Sequence, residues 1–444
     1  MEYKKKSKRE SDLHTHLYGC LSASDVWLLG KTRWSKRRGF LRWYAQQYSL
    51  AWGRFPEWEK YWTSDDGYQI LRKDFLILDK VSFSQFQACF NLIIALFPIE
   101  PLDRKLPYYL LFKFYGQGYS YVEPRVVFPD RFGEEHIISY LSTLSVIAAE
   151  FEKKHRMEVR YVFSLARNTI LCQDQYRILK KWLLKFPCSR NYVTGIDFAS
   201  YEENDPPFGK KEFIQAVLYD NRKNPETALA LTYHVGESYQ HISLMSSCRW
   251  VWTVHSFGVH RLSHCISLGI DPSSMLGKVV KEPTSERKMH LLWLLENKGL
   301  LDSYGCDIQV EQLVEEISTI DKEKRKFIEI TYDQKLIVEI KKLQEALLKD
   351  LSKKGAIIEV CPISNDRIAM SVSHGQHPLH RFIDHQIKVC FGSDDPGIFG
   401  FEKKDEEVFC AEKLGVSSAV LANIYHSQRS YRSYLLSERV TSIE

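Results

Sequence analysis

Two histidines stand one residue apart near the start of the chain, in the stretch SDLHTHLYGC, where His14 and His16 flank a single threonine. Side chains on an extended strand alternate between its two faces, so residues at i and i+2 point to the same side. Both imidazoles could therefore bind one metal ion. Such pairs also occur on ordinary strands, so the spacing alone leaves a metal site and a structural pair both open.

Further ionisable residues fall at the ends of other β-rich runs. HVGE contributes His234 and Glu237, RLSHC contributes His264, and SDDP contributes Asp394 and Asp395. Histidine nitrogens and a carboxylate around one open position are the ligands of a catalytic Zn²⁺, which lowers the pKa of water. Taken singly, His264 could be a buried structural side chain and SDDP a turn or helix cap. Their joint occurrence favours the metal site.

Eight β-rich runs, each followed by a segment of helical character, position these residues. Strands that alternate with helices predict a parallel sheet, and eight such units predict an α/β fold, the (β/α)₈ TIM barrel. The chemistry of such barrels lies at the carboxyl ends of the strands, where the ionisable residues fall. The predicted strands are residues 11–17, 119–127, 159–168, 191–200, 229–238, 260–268, 355–365 and 387–396.

Two stretches between predicted strands are too long for a single crossover helix. Residues 23–118, after the first strand, are rich in Trp, Tyr and basic residues and predict helices that pack over the barrel mouth or against a partner. Residues 271–354, after the sixth strand, predict a second helical insertion, with Leu336, Ile340 and Leu343 at helical spacing. This apolar stripe could pack on the barrel or form a homo-oligomer, and both insertions could act as lids.

The composition is that of a folded globular protein. The chain has 444 residues, 44% hydrophobic and 26% charged, and we interpret residues 1–444 as one domain. A net charge of +5 does not indicate nucleic-acid binding, and the run YKKKSKRE is interpreted as a solvated tail. No signal peptide or membrane-spanning run stands out, and the ten cysteines form no C-x-x-C pair. We expect a cytoplasmic protein with buried thiols and no membrane or nucleic-acid partner.

The order of these motifs resembles that of the adenosine deaminase family, within the amidohydrolase superfamily of metal-dependent hydrolases. The matching segments keep the family's order and approximate spacing outside the two long stretches, which would make this chain a divergent member with two insertions. The segments are LHTHLYG, YVEPR, GIDFA, HVGES, RLSHC, EVCPISN, HPLHRF and GSDDPGIFG.

The resemblance implies a role for each ionisable residue. Glu237 would protonate N1 of the purine, so it must hold a proton at neutral pH, which burial could arrange. His264 would orient and deprotonate the attacking water, beside a catalytic Asp394, and Asp395 would accept a hydrogen bond from the purine edge. His16 would also contact the substrate. The implied ligands of one Zn²⁺ per chain are His14, His16, His234 and Asp394.

Two predicted substrate-binding positions depart from the family pattern. Tyr18 stands where the family usually has an Asp that contacts a ribose hydroxyl, and Ser200 replaces a Gly whose backbone N–H meets the purine N3. Loss of the carboxylate would remove a like charge near a 5′-phosphate, although Tyr18 could equally cover an unphosphorylated sugar. Beside His264, Ser263 and Cys265 replace small glycines, which would narrow the pocket wall.

Three functions are compatible with the sequence. The first is zinc-dependent hydrolytic deamination of adenosine or a related adenine nucleoside to an inosine-type product and ammonia. The second is the same chemistry on an adenine nucleotide, AMP or ATP, or on an N6-modified adenine. The third is a catalytically silent binding or assembly protein on a deaminase scaffold. Nucleic-acid deaminases carry H-x-E and P-C-x-x-C zinc motifs, which this sequence lacks.

The remaining histidines of interest are interpreted as structural. Those of SHGQHPLHRFIDHQ are expected at a helix start and on the surface rather than in a second metal site. The same interpretation applies to the histidines elsewhere. The residues concerned are His241, His255, His260, His374, His377, His380 and His385.

Overall fold

Eight parallel strands form a nearly closed barrel in the computed structural model, which describes residues 10–97, 104–127, 133–323, 325–368 and 377–439. The strands are β1 (Ser11–His16), β2 (Tyr121–Val127), β3 (Glu158–Val159), β4 (Tyr161–Leu165), β5 (Val193–Phe198), β6 (Ala230–Val235), β7 (Arg261–His264), β8 (Val279–Pro283), β9 (Phe327–Thr331), β10 (Ile357–Val360) and β11 (Lys388–Phe391). The hydrogen-bonded order is β1-β2-β4-β5-β6-β7-β10-β11. A parallel bridge between Thr15 and Asp394 links β1 to the residues after β11. The predicted TIM barrel is confirmed.

Each barrel strand lies inside the run from which it was predicted. β4, β5 and β6 are buried along their whole length, as strands are when helices cover one face and the barrel interior the other. Two of the crossover helices begin at capping residues, since Asn168 and Ser243 accept backbone N–H groups at their starts. The crossover helices are α6 (Glu134–Lys154), α7 (Thr169–Lys185), α8 (Pro187–Arg190), α9 (Lys211–Lys223), α10 (Leu244–Ser256) and α11 (Ile266–Gly269), and they follow α1–α5 of the first long segment.

The first long segment, between β1 and β2, is helical and shares the main hydrophobic core with the barrel. Its helix α4 begins at Ser82, which forms a reciprocal capping box with Gln85. Phe83 and Phe86 on α4 are buried and face the barrel mouth. The helices are α1 (Ala23–Gly30), α2 (Arg38–Trp52), α3 (Gly67–Phe75), α4 (Phe83–Leu96) and α5 (Lys105–Gly116).

The second long segment, between β7 and β10, contains helices and also an antiparallel pair, β8 with β9. The sequence pattern did not predict these strands, because both are short, β8 buries only alternate residues and β9 is mostly exposed, so neither has a continuous apolar run. The apolar stripe of α15 packs against α10, within the chain. A homo-oligomer through this segment stays a prediction. The helices are α12 (Thr284–Glu296), α13 (Lys298–Ser303), α14 (Val310–Glu323) and α15 (Gln334–Lys353).

Short helices complete the chain after β10. All ten cysteines are unpaired, and every one except Cys188 is buried, in keeping with their predicted role as small apolar side chains. No helix in the described ranges is both long enough and apolar enough to cross a membrane. The remaining helices are α16 (Pro362–Arg367), α17 (Pro378–Asp384), α18 (Pro396–Phe399), α19 (Lys403–Val408), α20 (Ser418–Ser427) and α21 (Ser433–Leu436).

Candidate active site

The four predicted metal ligands converge around one carboxylate oxygen. Asp394 Oδ1 lies 3.5 Å from His14 Nε2 and 3.3 Å from His16 Nε2. The ring centroid of His234 lies 4.8 Å from that of His14 and 5.4 Å from that of His16. The other carboxylate oxygen, Asp394 Oδ2, accepts a hydrogen bond from Ser364 Oγ at 2.6 Å. The ends of β1, β6 and β11 therefore present three imidazoles and one free carboxylate oxygen to a single point.

His264 lies close enough to compete with His16 for a place in this cluster. The ligand atoms of His14, His234, His264 and Asp394 all lie within 4.8 Å of one another. His16 forms a second group of this kind with Asp394 and Asp395. Distance alone therefore does not choose between the two histidines.

Hydrogen bonds to the far ring nitrogens distinguish them. His14 Nδ1 lies 2.8 Å from Glu359 Oε2, and His234 Nδ1 lies 3.0 Å from Asp197 Oδ2. An ionised carboxylate only accepts, so both Nδ1 atoms carry the proton and leave Nε2 with its lone pair for a cation. His264 differs, because Asn365 Nδ2 donates to its Nδ1 at 2.8 Å. The proton of neutral His264 then resides on Nε2, which favours His16 as the third imidazole ligand.

The two supporting carboxylates are themselves held by Arg125, a fully buried guanidinium in the barrel. Arg125 forms an ion pair with Glu359 and lies 3.6 Å from Asp197. Burial raises the pKa of both carboxyls. The charge of Arg125, together with Arg261 at Glu359 and His234 at Asp197, outweighs burial and lowers each pKa well below its ordinary value. Arg125 Nη1 also lies 3.2 Å from His14 Nε2 and 3.3 Å from His234 Nε2. The Nε2 lone pairs thus face positive charge.

Sequence reasoning missed these supporting residues. Arg125, Asp197, Glu359 and Asn365 all lie within the motifs YVEPR, GIDFA and EVCPISN, at or just beyond strand ends. Position at a strand end was the available signal. Their pairing across the barrel, however, depends on which strands are neighbours, which a local pattern does not specify.

Several site residues adopt backbone angles that side chains other than glycine rarely take. The φ angles are 67° at His264, 60° at Asp394 and 81° at Ser200. Each costs on the order of 1–3 kcal/mol and persists only where the surrounding structure holds it. At Ser200 a glycine would adopt this angle without strain, so the family's Gly at this position is understandable and its replacement here carries a cost.

Glu237 and His264 form the predicted proton-transfer pair, with Glu237 Oε2 3.7 Å from His264 Nε2. Burial raises the pKa of Glu237 well above its ordinary value, and the negative charges of Asp394 and Glu202 raise it further. Burial lowers the pKa of His264 well below its ordinary value. At neutral pH Glu237 therefore holds a proton and His264 is uncharged, which is the state that proton donation by Glu237 requires.

A cavity of about 770 Å³ opens above these groups. Its floor includes Glu237 and Asp395, and Asp395 Oδ1 is a buried oxygen without a hydrogen-bond partner among the described residues. A Cβ on Gly19 would lie 1.7 Å from that oxygen, so only glycine leaves room for the carboxylate. Ser200 also lines the cavity, as predicted for a substrate contact. The opposite wall comes from α4, through Phe83, Phe86, Phe90 and Ile94.

Arg167 is the one arginine or lysine among the described residues that line this cavity. Its guanidinium is already engaged with backbone carbonyl oxygens, at 3.0 Å from Phe198 and 2.8 Å from His234. Its Nε donates to the carbonyls of Ala199 and Ser200 at 3.2 and 3.1 Å. The cation therefore ties the ends of β5 and β6 together.

Tyr18 is not among the residues that line the cavity. It begins a single 3₁₀ turn after β1, and its partly buried ring packs against the main hydrophobic core. The contact of Tyr18 with the sugar stays a prediction. The basic stretch of residues 33–42 is absent from the lining as well, and the first segment reaches the cavity through the aromatics of α4 instead.

The histidines interpreted as structural do not form a second metal-sized cluster within the described ranges. His377 caps the start of α17, where its ring accepts the Leu379 N–H at 3.1 Å, as expected for a helix-start residue. His374 lies outside the described residues.

Comparison with known proteins agrees with this geometry. The family model described as adenosine deaminase matches residues 307–439. An adenosine deaminase from Aliivibrio fischeri is 35% identical over 78 residues, which cover 18% of this chain and 23% of that protein. The match thus spans about a quarter of the length of this curated relative.

Solved structures share the fold over nearly the whole chain. Adenine deaminase from Arthrobacter aurescens superposes with a TM-score of 0.55 at 15% identity, covering 97% of this chain and 98% of that chain. The N6-methyl-AMP deaminase of Arabidopsis gives 0.55 at 14%, covering 96% and 94%. An amidohydrolase from Burkholderia ambifaria with bound Zn gives 0.53 at 12%, covering 100% and 90%. Residues 307–439 are thus similar to the adenosine deaminase family model, and the whole chain shares the barrel fold of the solved structures.

Proposed function

We propose that this protein is a zinc-dependent hydrolytic deaminase, which converts an adenine nucleoside into the 6-oxo product and ammonia. One observation carries the proposal. Three imidazoles surround Asp394 Oδ1, with His14 and His16 at 3.5 and 3.3 Å, beside a cavity that Glu237 lines, and His264 Nε2 lies 3.7 Å from Glu237 Oε2. Ligands and proton-transfer groups thus meet where a purine can enter.

The donor set fits Zn²⁺, for which imidazole nitrogen and carboxylate oxygen are common ligands. We assign one ion per chain to His14, His16, His234 and Asp394. The carboxylates that orient His14 and His234 are the outer support that metal-binding histidines usually have. When bound, the ion would lower the pKa of a water molecule to near neutrality.

The chain's own residues supply the remaining chemistry. Protonated Glu237 would donate to N1 of the purine, which makes C6 more electrophilic. Uncharged His264, whose Nε2 lies 3.7 Å from Glu237 Oε2, would orient the attacking water by donating the Nε2–H to its oxygen. Asp395 would hold the purine edge through the oxygen that lacks a partner within the described part of the chain. The 6-amino group would leave as ammonia.

The charge of the cavity favours an uncharged sugar over a 5′-phosphate. Arg167, the one guanidinium or ammonium in the described lining, already donates to four carbonyl oxygens. The same lining contains the carboxylate of Asp394 and that of Asp205, which forms an ion pair with Lys210. A phosphate would meet like charge without a free cationic partner, which is unfavourable in a shared pocket. We therefore propose adenosine or deoxyadenosine as the substrate class.

A nucleotide is the second candidate. It is supported by the likeness to an Arabidopsis protein that acts on N6-methyl-AMP. A silent scaffold without turnover is the third, and the completeness of the ligand and proton-transfer set argues against it. The unpaired, buried cysteines support the cytoplasm as the location.

The test is a turnover assay on zinc-loaded protein with adenosine, deoxyadenosine, AMP, ATP and N6-methyl-AMP, each at equal concentration. Loss of adenine absorbance and release of ammonia, or of methylamine from the methylated substrate, are measured together. We expect the two nucleosides to be converted fastest. Preference for AMP or N6-methyl-AMP would establish the nucleotide function, and inactivity on all five with zinc bound would favour the scaffold.

A further inference from the structure

The turn that carries Glu237 is held by two adjacent glutamates that do not line the cavity. Glu202 and Glu203 lie on a single 3₁₀ turn (Glu202–Asn204) that follows β5, and both are buried. The turn they hold, residues 236–241, follows β6 and leads into α10. Two acidic side chains buried side by side need strong compensation, and backbone N–H groups provide it.

Glu202 grips the first half of this turn. Its carboxylate accepts the N–H groups of Gly236 at 2.9 Å, Glu237 at 2.7 Å and Ser238 at 2.6 Å. Three consecutive N–H groups can point to one carboxylate because Gly236 adopts a φ of 71°. The direction in which the Glu237 side chain leaves the backbone is therefore fixed by Glu202.

Glu203 grips the second half. It accepts hydrogen bonds from Ser238 Oγ, from the Gln240 N–H at 2.9 Å and from the His241 N–H. These bonds come from residues 238, 240 and 241 rather than from the backbone of Glu237. Glu202 and Glu203 are therefore both buried carboxyl side chains, but only Glu202 accepts a hydrogen bond from the backbone of Glu237.

Glu202 also acts on Glu237 through its charge. The negative charge of Glu202 is one of the causes that raise the pKa of Glu237, after burial and the charge of Asp394. Glu202 itself has a pKa raised to about 7 by burial, while the charge of Arg167 and the N–H bonds lower it. At and above neutral pH the carboxylate is thus substantially ionised, as its three accepted hydrogen bonds also require.

We propose that Glu202 is a positioning residue of the deamination reaction, which fixes the backbone of Glu237 by accepting the N–H groups of residues 236–238. The proposal rests on the deaminase function proposed above. Without Glu202 the turn would lose three hydrogen bonds from backbone N–H groups. The orientation of the Glu237 side chain would then no longer be fixed, and the pKa of Glu237 would fall.

The first test is the pH dependence of the Glu202→Gln variant, which keeps the size and an accepting oxygen but removes the charge. Glu237 acts when protonated, so activity falls as pH rises through its pKa. Removing a nearby negative charge lowers that pKa, so we expect the alkaline limb of the kcat/KM profile to move to lower pH. We also expect kcat to fall by about tenfold to 100-fold, because a misaimed donor reacts slowly, with a smaller change in KM.

Two further variants serve as controls. Glu203→Gln loses the same charge one residue away and weakens only the outer half of the turn, so it should leave the alkaline limb in place. Glu212→Gln loses a charge on the exposed surface of α9 and should match the wild-type enzyme. A Glu202→Gln profile that superposes on that of wild type, with zinc content retained, would overturn the proposal.

A second measurement does not depend on activity. Hydrogen exchange of zinc-loaded Glu202→Ala should be faster than wild type at residues 236–238, and Glu203→Ala should be faster at 240 and 241. Unchanged exchange at 236–238 would overturn the positioning role even if the enzyme is active. If wild type converts no adenine compound, the deaminase function fails, yet the exchange result still decides whether Glu202 holds the turn. Should Glu202→Ala fail to fold, the milder Glu202→Gln is used for the same exchange measurement.

Discussion

The floor of the cavity is fixed by buried charge, whereas its outer wall is fixed by aromatic packing. On the floor, Arg125 joins the two carboxylates that orient His14 and His234, and all of these groups are buried. On the wall, Phe86 of α4 stacks on Phe399 with ring centroids 5.5 Å apart. Each charged residue at the floor needs its own oppositely charged partner, since removing one ion of a buried pair lowers the free energy of unfolding by about 3–5 kcal/mol. Wall residues depend on shape, so changes there should alter which ligand fits rather than the chemistry.

The largest effect is expected from removing a ligand at the floor. Asp394→Ala deletes the oxygen on which His14 and His16 converge, so zinc content after dialysis should fall to background and turnover with it. Metal is measured by mass spectrometry. Asp395→Asn is the matched control, because its side chain lines the cavity without being an assigned ligand, and it should keep zinc. Full zinc retention in Asp394→Ala would show that the carboxylate ligand is misassigned.

The second effect separates proton transfer from metal binding on the same floor. Glu237→Gln removes the proton donor without changing its size, so turnover should fall by about 10²–10⁴-fold. Zinc content should stay near one ion per chain. Ammonia release and metal content are measured on one preparation, and unchanged turnover would remove Glu237 from the role of donor.

A smaller effect is expected one layer below the ligands. Glu359→Gln weakens the hydrogen bond to His14 Nδ1, and loss of such a partner typically lowers metal affinity by about 10–100-fold. Competition with a chelator gives the affinity, and a thermal unfolding curve shows how much stability is lost through the broken pair with Arg125. Wild-type affinity in this variant would mean that the carboxylate serves the fold alone.

The smallest effect should come from the wall. The Phe90 ring lies 6.5 Å from that of His16 and lines the cavity. Phe90→Ala removes apolar contact that is equal in the ground state and the transition state, so KM should rise by about tenfold with kcat nearly unchanged. A large fall in kcat at normal KM would mean that the wall also aligns the reacting groups. The wall and the floor would then not differ in their effect on the chemistry.

The parts of the site that local pattern encodes were predictable. His14 and His16 share a strand face because side chains alternate there, and Asp394 follows the last apolar strand run. Asp197 and Glu359 were not assigned roles, because the imidazole each one meets lies on another strand and only the closed barrel brings them together. The sugar contact assigned to Tyr18 stays a prediction, since this residue begins the turn after β1 and is not among the residues that line the cavity.

The barrel strands of the fold were also predictable from local sequence pattern. Each barrel strand is an apolar run bounded by turn residues, so eight runs indicated eight strands. The antiparallel pair β8 and β9 was not predicted, because β8 buries only alternate residues and β9 is mostly exposed. The coverage of the cavity by α4 depends on packing between distant parts of the chain, such as Phe83 against Tyr201 at 5.7 Å. Such contacts leave no periodic signal.

Barrel closure has a consequence for how the protein is made. Thr15 Oγ1 donates to the Asp394 carbonyl at 3.1 Å, between residues 379 positions apart. A chain is synthesised from its amino terminus, and its early segments leave the ribosome first. His14 and His16 therefore emerge long before the carboxylate that completes their cluster. A nascent or truncated chain that lacks β11 holds imidazoles without their anionic partner, so the cluster is complete only when translation is nearly finished and the last strand has docked beside the first.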